Sequence, residues 1–210
     1  MEGFTSGKGA AGAPEEMKTG TTTVGIVADG AVVLATDRRA SLGGRFVSNK
    51  NAEKILEVHP TAAITISGGV GDGQAFAKQV RAQSSLYETR RGEDMSMEAL
   101  STAAANAIRG MRVVPLFGGV DGSGPHLYSL DPAGGLMEDT YGATGSGMQL
   151  AYGVLEGEYE EGLDVEAAVD VASRAVEAAS ARDTASGNGA MVARITADGI
   201  DIEERSEEEI

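Results

Sequence analysis

Hydrophobic and polar positions change texture at Gly20 in this 210-residue chain. Before it, "MEGFTSGKGAAGAPEEMKTG" shows no periodicity and is rich in small and charged residues, the composition of a flexible arm. After it, "TTTVGIVA" and "AVVLATD" read as β-strands joined at Asp29-Gly30, a dipeptide that accepts the positive φ angles of a tight hairpin. Further strands are predicted over 62–67, 113–117, 126–130 and 136–141, and a closing hairpin turns at Asp198-Gly199. Helical spacing marks 76–91, 97–111, 147–159 and 164–181. The last is clearest: Val165, Ala168, Val169, Ala172, Ala175, Val176 and Ala179 share one face, and Asp164 is placed to cap the first turn.

The order is strands, two helices, strands, two helices, strands. Strands arrive in hairpins, so the sheets are expected to be mainly antiparallel. Two blocks of helices need two sheet faces to cover. Two stacked sheets between two helix layers, an α+β four-layer αββα sandwich, bury every apolar stripe. The predicted organisation is an arm over 1–20 and one domain over 21–210.

Composition narrows the function classes. A net charge of −15 argues against nucleic acid, which needs a basic footprint. Twelve of the seventeen basic residues are Arg. The acidic excess reads as a solubilising surface or as adaptation to a salty cytoplasm. There is no Cys, no secretory-type apolar stretch and no membrane-length apolar run, so the chain reads as cytoplasmic. Only His59 and His126 are present, too few for a His-rich metal centre. "GFTSGK" lacks the spacing of a phosphate loop, and "GGVGDG" has Gln74 where a dinucleotide fingerprint needs glycine.

The candidate chemistry lies at the Gly20-Thr21 junction. A threonine hydroxyl inside a chain has nothing to take its proton. A threonine at a chain terminus carries its own base, an α-amine of pKa about 7.7–8.0 before perturbation. The reaction then needs a cut before the threonine, a buried cation near it and an anion to hold that cation. Gly20 suits the cut, because a residue without Cβ enters strained turns. Asp37, ending the second strand, and Lys54 are candidates for the charges. By spacing alone, they also read as a polar strand end and a surface lysine.

Seven stretches make the chain resemble a known family. "TTTVGI", "VLATDRRAS", "KNAEKI", "TISGGVGD", "YGATGSG", "YGVLE" and "RDTASG", in this order, resemble β subunits of archaeal-type 20S proteasomes in precursor form. The resemblance runs from Thr21 to about Glu203 and needs one extra residue around Gly43-Gly44. It implies the N-terminal-nucleophile hydrolase fold, with 1–20 as a propeptide removed by self-cleavage at Gly20. It implies catalytic roles for Thr21 (nucleophile), Asp37 and Lys54, with Ser146, Asp183 and Ser186 supporting the threonine amine, and Gly68 as the oxyanion donor. It places Ala40, Ser41, Leu56, Ile66 and Val70 in the substrate pocket, whose apolar lining implies chymotrypsin-like preference. No cofactor or metal is implied. The implied partners are α subunits and other β subunits in stacked seven-membered rings, an ATP-dependent unfoldase and unfolded polypeptide substrates. The competing readings are a non-catalytic ring subunit and another amidase of the same fold.

Overall fold

The structure, a computed structural model, describes residues 20–209. The arm expected over 1–20 lies, apart from Gly20, outside the described residues. In chain order the elements are β1 (Thr22–Ala28), β2 (Ala31–Asp37), β3 (Ala40–Leu42), β4 (Phe46–Asn49), β5 (Ile55–His59), β6 (Ala62–Thr65), α1 (Val70–Arg91) and α2 (Met97–Ala107). They continue with β7 (Leu116–Asp121), β8 (Gly124–Leu130), β9 (Leu136–Asp139), β10 (Tyr141–Gly145), α3 (Met148–Glu158), α4 (Val165–Ser180), β11 (Ala190–Thr196) and β12 (Gly199–Arg205). One five-stranded sheet has the order β10-β1-β2-β11-β12, and a second has β5-β6-β7-β8-β9. Their strand pairs are antiparallel throughout. β3 and β4 form a separate small hairpin.

Three buried clusters define the αββα layers expected from the strand and helix order. α3 and α4 cover the first sheet through Val24, Ile26, Val33, Leu155, Val169, Ala172 and Val176. α1 and α2 cover the second through Ile64, Phe76, Val80, Leu100, Ile108 and Phe117. Between the sheets lie Val32, Leu34, Ile55, Leu116, Leu127 and Ile195. Alternation along β2 explains the split: Val33 and Ala35 face the helices, while Val32 and Leu34 face the other sheet. The alanine-rich face of α4 is buried, and Asp164 Oδ1 accepts from the Ala167 N–H at 2.8 Å to cap it. Among the described residues no helix is long and apolar enough to cross a membrane.

Several boundaries differ from the sequence expectation, each for a physical reason. α1 begins at Val70, ahead of the helical spacing over 76–91, and runs through Gly71 and Gly73. A Cβ on Gly73 would stand 2.8 Å from Ile66, so close helix–strand packing outweighs poor helix propensity there. The strand expected over 113–117 starts at Leu116. Pro115 has no N–H to donate to a ladder, and Val113 instead forms an isolated bridge with Gly68. The single strand expected over 136–141 is two strands in different sheets, with Thr140 making the crossing.

Candidate active site

Thr21 sits one residue before β1, so the start of that strand fixes its backbone. Thr22 pairs with Gly145 of β10, and the Gly147 N–H reaches the Thr21 carbonyl at 3.4 Å. Gly145 has a φ of +97°, and a Cβ there would lie 2.0 Å from Thr21 O. Only glycine fits that close approach. The Thr21 side chain is buried, and its Oγ1 donates to the Gly20 carbonyl at 2.6 Å. Lys54 Nζ donates to the same Oγ1 at 3.1 Å.

Asp37 holds the lysine. Its Oδ1 accepts from Lys54 Nζ at 2.7 Å and from the Thr22 N–H at 2.9 Å. Its Oδ2 accepts from the N–H groups of Arg39 and Gly187, each at 3.0 Å. Four donors saturate a carboxylate, the arrangement a buried anion requires. Burial pushes the Asp37 carboxyl up, opposed by Lys54 and by the Thr22 and Arg39 N–H groups. Burial likewise pushes the Lys54 ammonium down, opposed chiefly by Asp37. The two groups are thus closer in proton affinity than free side chains.

A second network approaches from the loop after α4. Ser146 Oγ accepts from the Thr21 N–H at 3.1 Å and donates to Asp183 Oδ2 at 2.5 Å. Ser186 Oγ donates to the same carboxylate oxygen at 2.7 Å, and the Thr22 hydroxyl lies 2.7 Å from Ser186 Oγ. Thr22 was not singled out by the sequence reading, although it stands beside the nucleophile in the Thr-Thr-Thr run. Arg39 was missed as well. Its guanidinium donates to Asn188 Oδ1 and to the Thr184 carbonyl, each at 3.0 Å, and so ties this loop to the end of β2.

A cleft of about 960 Å³ opens over Thr21. Ala40, Ser41, Ile66, Gly68 and Val70 line it with Gly20, Thr21, Lys54 and Ser146. Gly68 has a φ of +118°, and a Cβ there would meet Arg112 O at 2.5 Å. Leu56 does not line the cleft, which corrects the assignment of this residue to the pocket. Strand alternation turns Ile55 between the sheets and Leu56 onto the opposite face, against the α1–α2 core. The lining is also less uniformly apolar than expected, because Glu53, Asp72, Gln74 and Arg112 contribute to it. Asp72 and Arg112 pair with each other: the Arg112 N–H donates to Asp72 Oδ2 at 2.8 Å, and its Nε lies 3.6 Å from that oxygen.

A four-layer αββα sandwich with a hydroxyl-bearing residue at the head of β1, facing a cleft, defines the class of N-terminal-nucleophile hydrolase folds. Comparison with known proteins narrows the class. The proteasome family, described as proteasome subunit, matches residues 17–195. A proteasome subunit beta from Halorhabdus utahensis is 59% identical over 190 residues, covering 89% of this chain and 81% of that protein. Proteasome subunit beta 2 from Haloterrigena turkmenica is 59% identical over 189 residues, covering 89% and 80%. A proteasome subunit beta from Halobacterium salinarum is 55% identical over 193 residues, covering 90% and 79%. The chain belongs to the proteasome subunit family, with its similarity to archaeal β subunits running over most of its length. Membership implies assembly with other proteasome subunits in rings.

Proposed function

We propose that the chain is a catalytic β subunit of a 20S core particle, a threonine endopeptidase that first cleaves itself at the Gly20–Thr21 bond. One observation carries the reading. Thr21 Oγ1 touches both the carbonyl of the bond to be cut, at 2.6 Å, and Lys54 Nζ, at 3.1 Å. In self-cleavage the hydroxyl oxygen attacks the Gly20 carbonyl carbon. The hydroxyl proton passes to water, and protonated Lys54, 3.1 Å from Oγ1, lowers the cost of releasing it. Collapse breaks the Gly20–Thr21 C–N bond with proton delivery to nitrogen and leaves an ester on Thr21. That break frees the Thr21 α-amine, and water then hydrolyses the ester, releasing residues 1–20 as the propeptide and restoring the Thr21 hydroxyl.

In the processed chain that amine takes over as base. Ser146, already bonded to the Thr21 nitrogen, and Asp183 behind it hold the amine in place. Protonated Lys54 beside Oγ1 lowers the cost of forming the alkoxide. The acyl-enzyme ester formed with a substrate peptide then hydrolyses like the self-cleavage ester. Gly68 supplies the oxyanion donor. Ala40, Ile66 and Val70 favour a hydrophobic residue before the cut, a chymotrypsin-like preference.

The working assembly is two β rings flanked by two α rings of seven subunits each, in the cytoplasm, fed with unfolded polypeptide by an ATP-dependent unfoldase. Sequestration suits a peptidase whose pocket selects little beyond apolar side chains. The test compares wild type with Thr21→Ala on a fluorogenic peptide with a hydrophobic residue before the reporter, together with intact mass. Wild type loses residues 1–20 and hydrolyses the peptide; the alanine chain does neither. Equal rates in the two would overturn the reading.

A further inference from the structure

Gly20, the residue before the nucleophile, is held from three sides. The Gly20 N–H donates to Ser41 Oγ at 3.2 Å. The Gly20 carbonyl accepts from Thr21 Oγ1 at 2.6 Å. The Gly20 Cα faces Ala185, and a Cβ at position 20 would fall 1.7 Å from the Ala185 Cβ and 3.1 Å from Ser146 Oγ. Ser41 is only 2% exposed, and it comes from the small β3–β4 hairpin, an element separate from both large sheets. Three parts of the chain distant in sequence therefore converge on one glycine.

This placement cannot be reproduced by a large substrate residue. A peptide with a bulky side chain before its cut would drive that side chain into Ala185 if it lay as Gly20 lies. The Ser41 hydroxyl contact consequently belongs to the uncleaved chain. We infer that the Ser41 hydroxyl is a positioning group for self-cleavage: by holding the Gly20 N–H, it keeps the Gly20 carbonyl against Thr21 Oγ1. With the hydroxyl gone, a buried N–H is left without its acceptor, and the scissile peptide is free to rotate away from the nucleophile. Ser41 thereby acts on maturation more strongly than on turnover, an assignment that rests on the self-cleavage reading above.

The experiment follows cleavage of the full chain by intact mass over time in wild type, Ser41→Ala, Ser41→Thr and Ser41→Val. Peptide hydrolysis is measured per processed chain in the same samples. Threonine and valine have the same shape, so crowding or misfolding at position 41 affects both alike and only the hydroxyl distinguishes them. The alanine and valine chains are expected to process about tenfold more slowly, the factor one lost buried hydrogen bond carries. The threonine chain processes severalfold faster than the valine chain. In the alanine and valine chains, processing falls further than turnover per processed chain. Equal processing by the threonine and valine chains overturns the inference, as does an equal fall in processing and turnover. A wild-type chain that never loses residues 1–20 overturns the self-cleavage reading itself, and it is recognised before any variant is compared.

Discussion

Lys54 Nζ lies 2.7 Å from Asp37 Oδ1, and the two side chains are 6% and 0% exposed. Asparagine at position 37 keeps the shape and removes the charge, leaving a buried ammonium without its anion. Breaking such a pair costs about 3–5 kcal/mol, whereas replacing both partners with neutral groups is often close to neutral. Asp37→Asn is therefore expected to lower the melting temperature by roughly 6–20 °C, at about 2–4 °C per kcal/mol for a domain of this size. Asp37→Asn combined with Lys54→Met recovers most of that loss yet stays unprocessed. Thermal unfolding of wild type, the single variant and the pair checks this; equal melting temperatures for single and double variants would show that the ion pair is not what the asparagine breaks.

The contact between position 20 and Ala185 yields a second expectation. Gly20→Ala places a methyl 1.7 Å from the Ala185 Cβ, so the residue before Thr21 must shift. A misplacement of about 1 Å at a reacting centre costs on the order of 100-fold in rate. Gly20→Ala should slow cleavage at Thr21 by roughly that factor. Adding Ala185→Gly removes the nearest clash but leaves the Ala185 Cα at 2.9 Å, so rescue is partial. Mass spectrometry over hours reads both rates. Cleavage of the Gly20→Ala chain at the wild-type rate would mean that the glycine is not held against Ala185 during the reaction.

These relationships differ in how far the sequence revealed them. Thr21 stood out at a Gly-Thr junction just before a strand, whereas Asp37 and Lys54 read by spacing alone as a polar strand end and a surface lysine and were singled out by the family resemblance. The αββα layering was legible because hairpin strands and paired amphipathic helices leave few ways to bury their faces. Leu56 was assigned to the pocket by the resemblance alone, and its own stretch, which carries Glu57 and His59, shows no clean alternation to say which face it takes. The β3–β4 hairpin was invisible for a related reason. Leu42 and Phe46 are 47% and 65% exposed, so its apolar residues follow no burial pattern. The grip of Ser41 and Ala185 on Gly20 joins residues far apart in sequence through contacts that leave no local periodicity.

A charge cluster on the first sheet sets the expected response to acid. Arg194 Nη1 lies 3.1 Å from Glu203 Oε2, and Arg205 Nη2 lies 2.6 Å from Glu203 Oε1. Burial pushes the Glu203 carboxyl up, but Arg194 and Arg205 outweigh it, and the net shift is below the usual 4.5. A carboxyl depressed in the folded state stabilises the fold above its unfolded pKa, and that contribution is lost as pH falls through the folded value. The pair thus supports the fold at neutral pH and loses its effect below about pH 4.5. Arg194→Met should flatten the acid side of a urea-midpoint profile recorded from pH 7 to 3, while lowering the neutral plateau. An unchanged acid slope would show that other carboxylates govern acid unfolding.

The net charge of −15 makes the response to salt a test of surface electrostatics. Acidic residues crowd two short stretches: Glu156, Glu158, Glu160, Glu161 and Asp164, and then Glu203, Glu204, Glu207, Glu208 and Glu209. Most of these side chains are exposed, so their mutual repulsion acts through solvent and is open to screening. The Debye length falls from about 30 Å at 0.01 M to about 3 Å at 1 M, which removes nearly all interaction between charges that are not in contact. The Asp37–Lys54 pair, by contrast, is withdrawn from solvent and is screened far less. The melting temperature is therefore expected to rise between 0.01 and 1 M sodium chloride and then level off, because little repulsion remains to be screened. Relief of about 1–2 kcal/mol corresponds to a rise of roughly 2–8 °C. Replacing Glu207, Glu208 and Glu209 with glutamine should raise the low-salt melting temperature and shrink the salt-dependent rise. A melting temperature that keeps climbing in proportion to salt well above 1 M would assign the effect to surface exclusion of the salt rather than to charge repulsion.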